Sequence, residues 1–257
     1  MLEVRDIRKI YNPGDVTEIC VFDGFSLAVP DGEFLSIVGS NGSGKTSLLN
    51  LICGSIRQDG GTILVGGEPV DRQKDYVRAR RIGRVYQNPA LGTCPQMTIL
   101  ENLSLAEGKG RPFGLSFGVR RGRIEYYRDL LRDLGLGLED KLSVKVGSLS
   151  GGQRQALALL MATMTPIDFL ILDEHTAALD PHTAETIMLL TDRLVREKRL
   201  TAMMVTHNLR YAVEYGSRLI MLDKGRVVFD CAGEEKKALK TEDVLGLFNR
   251  ISVECGN

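Results

Sequence analysis

Apolar and polar residues alternate in the first part of the chain as they do in half-buried strands. Residues 2–11 alternate in this way, and the short apolar segments 19–22 and 25–29 end at a Pro-Asp-Gly turn. A further apolar segment, 33–38, then leads into a helical pattern over residues 46–52. The pattern predicts an antiparallel sheet beside a second, buried sheet.

Continuous apolar runs separated by helical patterns fill most of the remaining chain. Such runs are typical of parallel strands that are buried on both faces. They predict an α/β fold. The expected strands are 60–67, 84–87, 169–172, 201–206 and a hairpin of 218–222 with 226–229, and the expected helices are 76–82, 153–163, 181–199, 209–215 and a tail over 234–251.

Residues from 90 to about 147 have a different character, because they contain helical patterns at 99–106 and 123–136 and no strand pattern. We interpret this segment as a helical subdomain inserted into the α/β core. A basic run of this segment is usually a solvated face, and contact with lipid headgroups or an acidic partner loop is the alternative. It comprises Lys109, Arg111, Arg120, Arg121, Arg123 and Arg128.

The composition limits the possible classes of protein. The chain has 257 residues, of which 43% are hydrophobic, and its net charge is zero. These values indicate a globular domain and argue against nucleic acid as the main partner. No apolar run reaches the length of a membrane span, and no signal peptide pattern is present, so we expect a cytoplasmic protein. The five scattered cysteines form no metal-binding pattern and are expected to be small buried residues.

The glycine-rich segment between the strand 33–38 and the helix 46–52 is the strongest chemical signal. It matches the phosphate-binding P-loop, a Gly, four free positions and Gly-Lys-Ser/Thr. Its glycines let successive N–H groups face one anion, and Lys45 and Thr46 are placed to reach phosphates and Mg²⁺. We expect ATP to bind at Gly39, Ser40, Asn41, Gly42, Ser43, Gly44, Lys45, Thr46 and Ser47.

Polar residues follow three buried strands at the end where open α/β sheets bind ligands. After 169–172 come Asp173, which can hold Mg²⁺ through water, and Glu174, which can accept a proton from the attacking water. His207 follows 201–206, within reach of the phosphates. Gln87 ends 84–87, and its amide can face a metal or lie on the surface.

Two further features are ambiguous on their own. Ser150 can cap the helix 153–163, whose start has two glycines and therefore resembles a second anion-binding helix end. Tyr11, at the end of the first strand, can stack on an adenine base or be an ordinary edge-strand tyrosine.

Together these motifs resemble the ATP-binding subunit of ATP-binding cassette (ABC) transporters from Leu2 to about Val228. The family signature is more specific than a P-loop, and it matches Leu149, Ser150, Gly151, Gly152 and Gln153. The resemblance implies roles for single residues in other family motifs. These are Tyr11 in the A-loop, Gln87 in the Q-loop, Asp173 in Walker B, Glu174 as the catalytic carboxylate, Asp180 in the D-loop and His207 in the switch.

The resemblance also implies an architecture: an α/β P-loop NTPase of the ABC type, with an antiparallel β subdomain and an inserted α-helical subdomain. In the single domain of residues 1–257, residues 1–89 and 164–257 would form the RecA-like core and the β subdomain, and residues from about 90 to 163 the helical subdomain. In the family, the signature of one chain closes on the ATP and Mg²⁺ held by a second copy, head to tail. The helical subdomain contacts a coupling helix of the integral membrane permease subunits.

The chain departs from the usual D-loop pattern, because His175 and Ala177 stand where the family has Pro and Ser. With residues 153–162, this region resembles bacterial importer ATPases described as tryptophan/tyrosine-type. The resemblance implies a position on the inner face of the cell membrane and an extracytoplasmic substrate-binding lipoprotein as a partner.

Three other functions compete with import. A soluble ABC ATPase of DNA repair or translation would have a long coiled coil or two cassettes, and the sequence has neither. A degenerate nucleotide sensor conflicts with intact Lys45, Asp173, Glu174 and His207. An exporter is disfavoured because no membrane domain is fused to the chain.

Overall fold

The computed structural model describes residues 1–111, 114 and 118–254, without the side chains of residue 121 and of residues 251–254. Its strands are β1 (Leu2–Tyr11), β2 (Ile19–Val29), β3 (Phe34–Gly39), β4 (Gly60–Val65), β5 (Glu68–Pro69), β6 (Ile82–Val85), β7 (Phe169–Asp173), β8 (Ala202–Val205), β9 (Arg218–Asp223) and β10 (Arg226–Ala232). Its α-helices are α1 (Lys45–Cys53), α2 (Asp75–Arg78), α3 (Ile99–Glu107), α4 (Ile124–Arg132), α5 (Gly151–Thr163), α6 (Pro181–Glu197), α7 (Leu209–Glu214), α8 (Gly233–Ala238) and α9 (Thr241–Glu254).

The strands form two sheets, as predicted. The four-stranded sheet has the order β2-β1-β4-β5 and is antiparallel. The six-stranded sheet has the order β10-β9-β3-β8-β7-β6; it is parallel except for the β9–β10 hairpin. The α/β class is therefore confirmed, and β3, β7 and β8, whose ends carry the predicted site residues, lie side by side.

The six-stranded sheet is buried on both faces, and alternate residues of its strands belong to different cores. In β7, Leu170 and Leu172 pack with α5 and α6, whereas Phe169 and Ile171 pack with α1 and the four-stranded sheet. The helices α3, α4 and α5 share the first core with β7. The boundaries predicted at residues 90 and 163 stay a prediction, because α5 belongs to both parts.

The alternation in β1 is interrupted between Val4 and Ile7, which are three residues apart although both are buried. A bulge accounts for this spacing. Two residues of β1, Arg5 and Asp6, face one residue of β2 there, and Asp6 has a φ of 50°. The extra residue lets both apolar side chains face the same core.

Several predicted elements differ in position. Residues 19–29 form one strand rather than two, because a bulge at Gly24 (φ 75°) continues the ladder. The helix predicted at 76–82 is only Asp75–Arg78, and the strand predicted at 84–87 begins at Ile82. The predicted C-terminal helix is two helices, α8 and α9.

Three arginines of the basic run have ion-pair partners within the helical segment. Arg120 and Arg123 lie 3.3 and 2.9 Å from Glu107, and Arg128 lies 2.7 Å from Glu125. Two carboxylates therefore balance part of the positive charge of these three arginines. The side chain of Arg121 lies outside the described part of the structure.

The lengths of the helices and the exposure of the cysteines bear on two of the expectations. Within the described part of the chain, every helix is too short or too polar to span a bilayer. The expectation of buried cysteines holds for Cys231 but is wrong for Cys20, which is exposed near the irregular end of β2. Cys255 lies outside the described residues.

Candidate functional site

The P-loop connects β3 to α1, and its backbone excludes larger residues at two glycines. A Cβ at Gly39 would lie 2.3 Å from the Leu222 oxygen, and one at Gly44 (φ 104°) would lie 2.9 Å from the Phe22 ring. Close neighbours therefore fix the shape of the loop on both sides. The start of α1 lies directly behind it, as an anion-binding helix end requires.

Lys45 points into the centre of this loop. Its ammonium donates hydrogen bonds to the carbonyl oxygens of Gly39 (2.7 Å) and Ser40 (2.8 Å) and to the Ser43 hydroxyl (3.3 Å). Burial lowers the pKa of Lys45, and the charge of Glu174 opposes this change. A buried cation at the start of a helix, in a glycine-rich loop, suits a phosphate, so the loop fits ATP.

Adjacent strand ends bring the predicted catalytic residues together. β7 and β8 pair in parallel with Asp173 opposite Val205, so the residues that follow each strand are neighbours. His207 Nε2 lies 2.7 Å from Glu174 Oε1. At this distance the imidazole N–H donates to the carboxylate and holds it in place.

The sequence interpretation missed Arg84, which lies in β6 beside β7. Its guanidinium donates to Asp173 Oδ2 (2.7 Å) and to Asn50 Oδ1 on α1 (2.9 Å). The signal was a charged residue between two buried ones, Gly83 and Val85, in a strand next to the carboxylates. Arg84 therefore belongs to the site, and Asp173 is held by a cation.

The three side chains that are predicted to hold Mg²⁺ through oxygen atoms differ in their exposure. Thr46 is exposed at the start of α1, Asp173 is largely buried, and Gln87 is exposed beyond the end of β6. Among the described residues, no group of three or more His, Cys, Asp or Glu could hold a metal. Such hard oxygen donors fit Mg²⁺ that takes its remaining ligands from phosphates and water.

Tyr11 lies beside the P-loop helix, and its role in binding adenine stays a prediction. Its hydroxyl lies 3.2 Å from the Ser47 hydroxyl, and the Lys9 ammonium lies 5.4 Å from the centre of its ring. The structure therefore places Tyr11 next to the predicted nucleotide-binding residues.

The signature residues form the start of α5. Ser150 caps the helix: its hydroxyl accepts from the Gln153 N–H (3.2 Å), and the Gln153 side chain accepts from the Ser150 N–H (3.3 Å). Leu149 is buried, whereas Ser150 is exposed. A Cβ on Gly152 would lie 2.3 Å from Thr183 Cγ2. The signature thus packs against α6, which Asp180 caps by accepting from the Thr183 N–H (3.1 Å).

Within the described residues, no hydrogen bond or ion pair joins the signature segment, residues 149–153, to the P-loop segment, residues 39–47. Leu149, beside the signature glycines, packs in the core shared with α6, whereas Leu48, beside the P-loop, packs in the core shared with the four-stranded sheet. The two helix starts are therefore two separate surfaces of the chain. Glu174, the predicted catalytic carboxylate, lies close enough to Lys45 of the P-loop segment for their charges to interact.

His175 occupies the position where the family pattern has Pro. It is buried, and its Nε2 lies 3.1 Å from the Thr191 hydroxyl, which donates its own proton to the Ile187 carbonyl (2.7 Å). His175 must therefore be the donor. Burial lowers the pKa of His175 to about 4, so the residue is a neutral packing group that ties the loop after Glu174 to α6.

A P-loop between a parallel strand and a helix, with two carboxylates at the end of another parallel strand of the same sheet, defines a P-loop nucleoside triphosphatase. The chain also matches the ABC transporter family model over residues 22–177. It belongs to the ABC transporter family, binds ATP and is a transport ATPase.

Known relatives support this assignment. The chain is 46% identical to the tyrosine transport ATP-binding protein of Clostridioides difficile over 96% of its own length and 98% of that protein. It is 35% identical to the lipoprotein-releasing system ATP-binding protein LolD 1 of Caulobacter vibrioides, with 87% and 93% covered.

Solved structures show the same fold. The ATP-binding cassette MJ0796, in a dimeric post-hydrolysis state bound to ADP and Pi, has a TM-score of 0.75 and 30% identity, with 90% of this chain and 98% of that chain covered. The ADP conformation of the cassette MJ1267 has a TM-score of 0.80 and 25% identity, with 100% and 99% covered.

Proposed function

We propose that this chain hydrolyses ATP in a head-to-tail dimer that powers a binding-protein-dependent importer of an aromatic amino acid such as tyrosine. The observation that carries the hydrolytic part is the 2.7 Å contact between His207 Nε2 and Glu174 Oε1 at adjacent strand ends. The solute is inferred from the 46% identity with a tyrosine transport protein. It cannot come from the site itself, which has the features of a nucleotide site.

Within the site, each residue has a distinct task. Lys45 neutralises the β- and γ-phosphates, and Glu174 accepts a proton from the attacking water while His207 orients its carboxylate. Mg²⁺ would be held by Thr46, Asp173 and Gln87, and it would neutralise charge on the phosphates. The contribution of the exposed Gln87 would be its amide oxygen.

The dimer completes the site. The exposed Ser150 and the N–H groups of Gly151 and Gly152 would bind the γ-phosphate that is held by the P-loop of a second copy. The separation of the two surfaces within one chain supports this arrangement. So does the dimeric form in which MJ0796 was solved.

A groove between the six-stranded sheet and the helices of the inserted segment is suited to the integral membrane subunit. It has a volume of about 460 Å³ and lies between α2, β6, α3 and α5. Among the described residues that line it are four cations and no carboxylate; the cations are Arg80, Arg84, Lys109 and Arg111. Burial lowers the pKa of Lys109. Exposed Tyr76 and Leu105 add apolar surface, so the groove fits a short amphipathic segment with acidic residues.

The test is reconstitution with the permease and with a lipoprotein that binds the amino acid. The proposal predicts that the chain co-purifies with the permease in detergent. It also predicts that tyrosine-loaded binding protein stimulates ATP hydrolysis in proteoliposomes. Charge reversal in the groove, Arg80→Glu with Lys109→Glu, should abolish co-purification, whereas Arg57→Glu, an exposed cation outside the groove, should not.

Two results would contradict the proposal. ATP hydrolysis that is coupled to lipoprotein release, and is not stimulated by the tyrosine-loaded binding protein, would indicate a function like that of the LolD relative. Retained permease binding in the groove variant would place the membrane interface elsewhere.

A further inference from the structure

Arg84 connects three parts of the site through one side chain. Its two terminal nitrogens bond Asp173 on β7 and Asn50 on the P-loop helix, at 2.7 and 2.9 Å. Its guanidinium also stacks on the Tyr86 ring, 4.7 Å from the ring centre. The side chains of Arg84 and Asp173 are 12% and 18% exposed, so this ion pair is shielded from water.

The electrostatics favour a firm pair. The Arg84 guanidinium and the Asp173 carboxylate lie 2.7 Å apart, and both side chains are largely buried, so their attraction is only weakly screened by water. Lys45, a second cation near the carboxylates, donates its three hydrogen bonds to oxygen atoms of the P-loop rather than to Asp173. Arg84 is therefore the cation that balances Asp173 in this conformation.

Arg84 also lines the groove between α2, β6, α3 and α5 that is proposed to bind the membrane subunit. Arg84 contributes to the groove of about 460 Å³ and to a neighbouring cavity of about 190 Å³, which it shares with Tyr76 and Tyr86. A group that enters this groove meets the guanidinium that holds Asp173. The metal site and the docking surface thus share one cation.

We propose that Arg84 is a positioning residue that holds Asp173 in the metal-free state and competes with Mg²⁺ for its carboxylate. The inference rests on the metal role of Asp173 given under the proposed function. A guanidinium bonded to this oxygen places a positive charge a few ångströms from the metal position and repels a divalent cation. Arg84 therefore sets the Mg²⁺ concentration at which the site loads.

Orientation of Asp173 and competition with the metal predict opposite changes in metal affinity when Arg84 is removed. If Arg84 only oriented Asp173 for the metal, removing Arg84 would weaken metal binding. If Arg84 competes, removing it strengthens metal binding. The direction of the change therefore distinguishes competition from simple orientation.

The test is a titration with Mn²⁺, monitored by electron paramagnetic resonance, of the full chain saturated with a non-hydrolysable ATP analogue. Arg84→Gln should lower the half-saturating Mn²⁺ concentration by about tenfold, the effect of one unit charge near a divalent ion in a water-like medium. Arg80→Gln is the matched control. Arg80 is an exposed cation that lines the same groove but does not bond Asp173, and its loss should leave the titration unchanged.

Arg84→Lys provides a second variant in case the glutamine protein does not fold. It keeps the charge but cannot bond Asp173 and Asn50 together, so the shift should be smaller and in the same direction. An unchanged or raised half-saturating concentration in the Arg84 variants would overturn the inference. A wild-type protein that needs no divalent metal would overturn instead the proposed metal role of Asp173.

Discussion

At the scale of single residues, His175 shows how a departure from the family pattern is accommodated. A buried neutral histidine replaces proline and donates to Thr191, so the loop after the catalytic carboxylate is fixed by a hydrogen bond rather than by a rigid ring. This arrangement has a consequence for stability, because the folded protein keeps His175 unprotonated at pH values where the unfolded chain is protonated.

The first prediction follows from this difference. The folded pKa of about 4 lies below the unfolded value of 6.5, so stability is complete above pH 6.5 and is lost as the pH falls towards 4. Between pH 7 and pH 5, the wild type should lose about 2 kcal/mol of unfolding free energy more than His175→Gln does. Urea unfolding at several pH values measures this. His182→Gln, an exposed control, should follow the wild type, and parallel curves for wild type and His175→Gln would contradict the account.

Residue roles were predictable wherever the chemistry lies in a local motif. Lys45, Glu174 and His207 are recognisable because they follow strands in a fixed spacing, and the structure brings the last two together at 2.7 Å. Arg84 and His175 were not predicted as site or packing partners. Their partners Asp173 and Thr191 are distant in sequence or on another element, so no local pattern reveals them.

At the scale of elements, the second prediction follows from the contact between α5, which begins with the signature, and α6, which Asp180 caps. Gly152 lies in α5 with ordinary helical geometry, so alanine would suit the backbone, but its Cβ would lie 2.3 Å from Thr183 Cγ2. Gly152→Ala should therefore lower the unfolding free energy by about 1–3 kcal/mol.

The control is the same substitution in a Thr183→Ser background. Serine keeps the hydroxyl and lacks the methyl group, so Gly152→Ala should then be neutral or stabilise by up to about 1 kcal/mol. Urea midpoints of the four proteins give the coupling directly. Equal costs in both backgrounds would mean that this contact does not restrict residue 152.

Elements were predicted well where both faces of a strand are buried, and poorly at short connections. The apolar runs of β7 and β8 lie within one residue of their predicted bounds. The helix α2 is one turn long because the chain must enter β6 at Ile82. This tertiary constraint leaves no periodic pattern of apolar residues in the sequence. The bulges in β1 and β2 likewise depend on pairing between strands.

At the scale of the whole molecule, the separation of the P-loop from the signature leads to the third prediction. Lys45→Ala should abolish ATP binding, and Ser150→Arg should leave binding intact but stop turnover, because a bulky cation obstructs the partner's site. A mixture of the two variants contains one intact composite site in each mixed dimer. It should recover part of the ATPase activity that each variant lacks alone.

The control is Ser148→Arg, an exposed serine two residues before the signature serine, which should retain activity. An inactive mixture in which mixed dimers are shown to form would contradict independent sites that act between chains. It would be consistent with a dimer in which both sites must be intact.

The most direct measurement of the central claim is sedimentation of Glu174→Gln with ATP, with ADP and without nucleotide. Glutamine keeps the size of the side chain but cannot take up the proton, so turnover should fall by at least about 10²–10⁴. Removing one negative charge beside the phosphates should preserve or tighten ATP binding. The account predicts a dimer with ATP and monomers with ADP or without nucleotide, because the γ-phosphate joins the two chains. A monomer in all three conditions, with unchanged ATPase activity, would contradict both the catalytic role of Glu174 and the ATP-bound dimer.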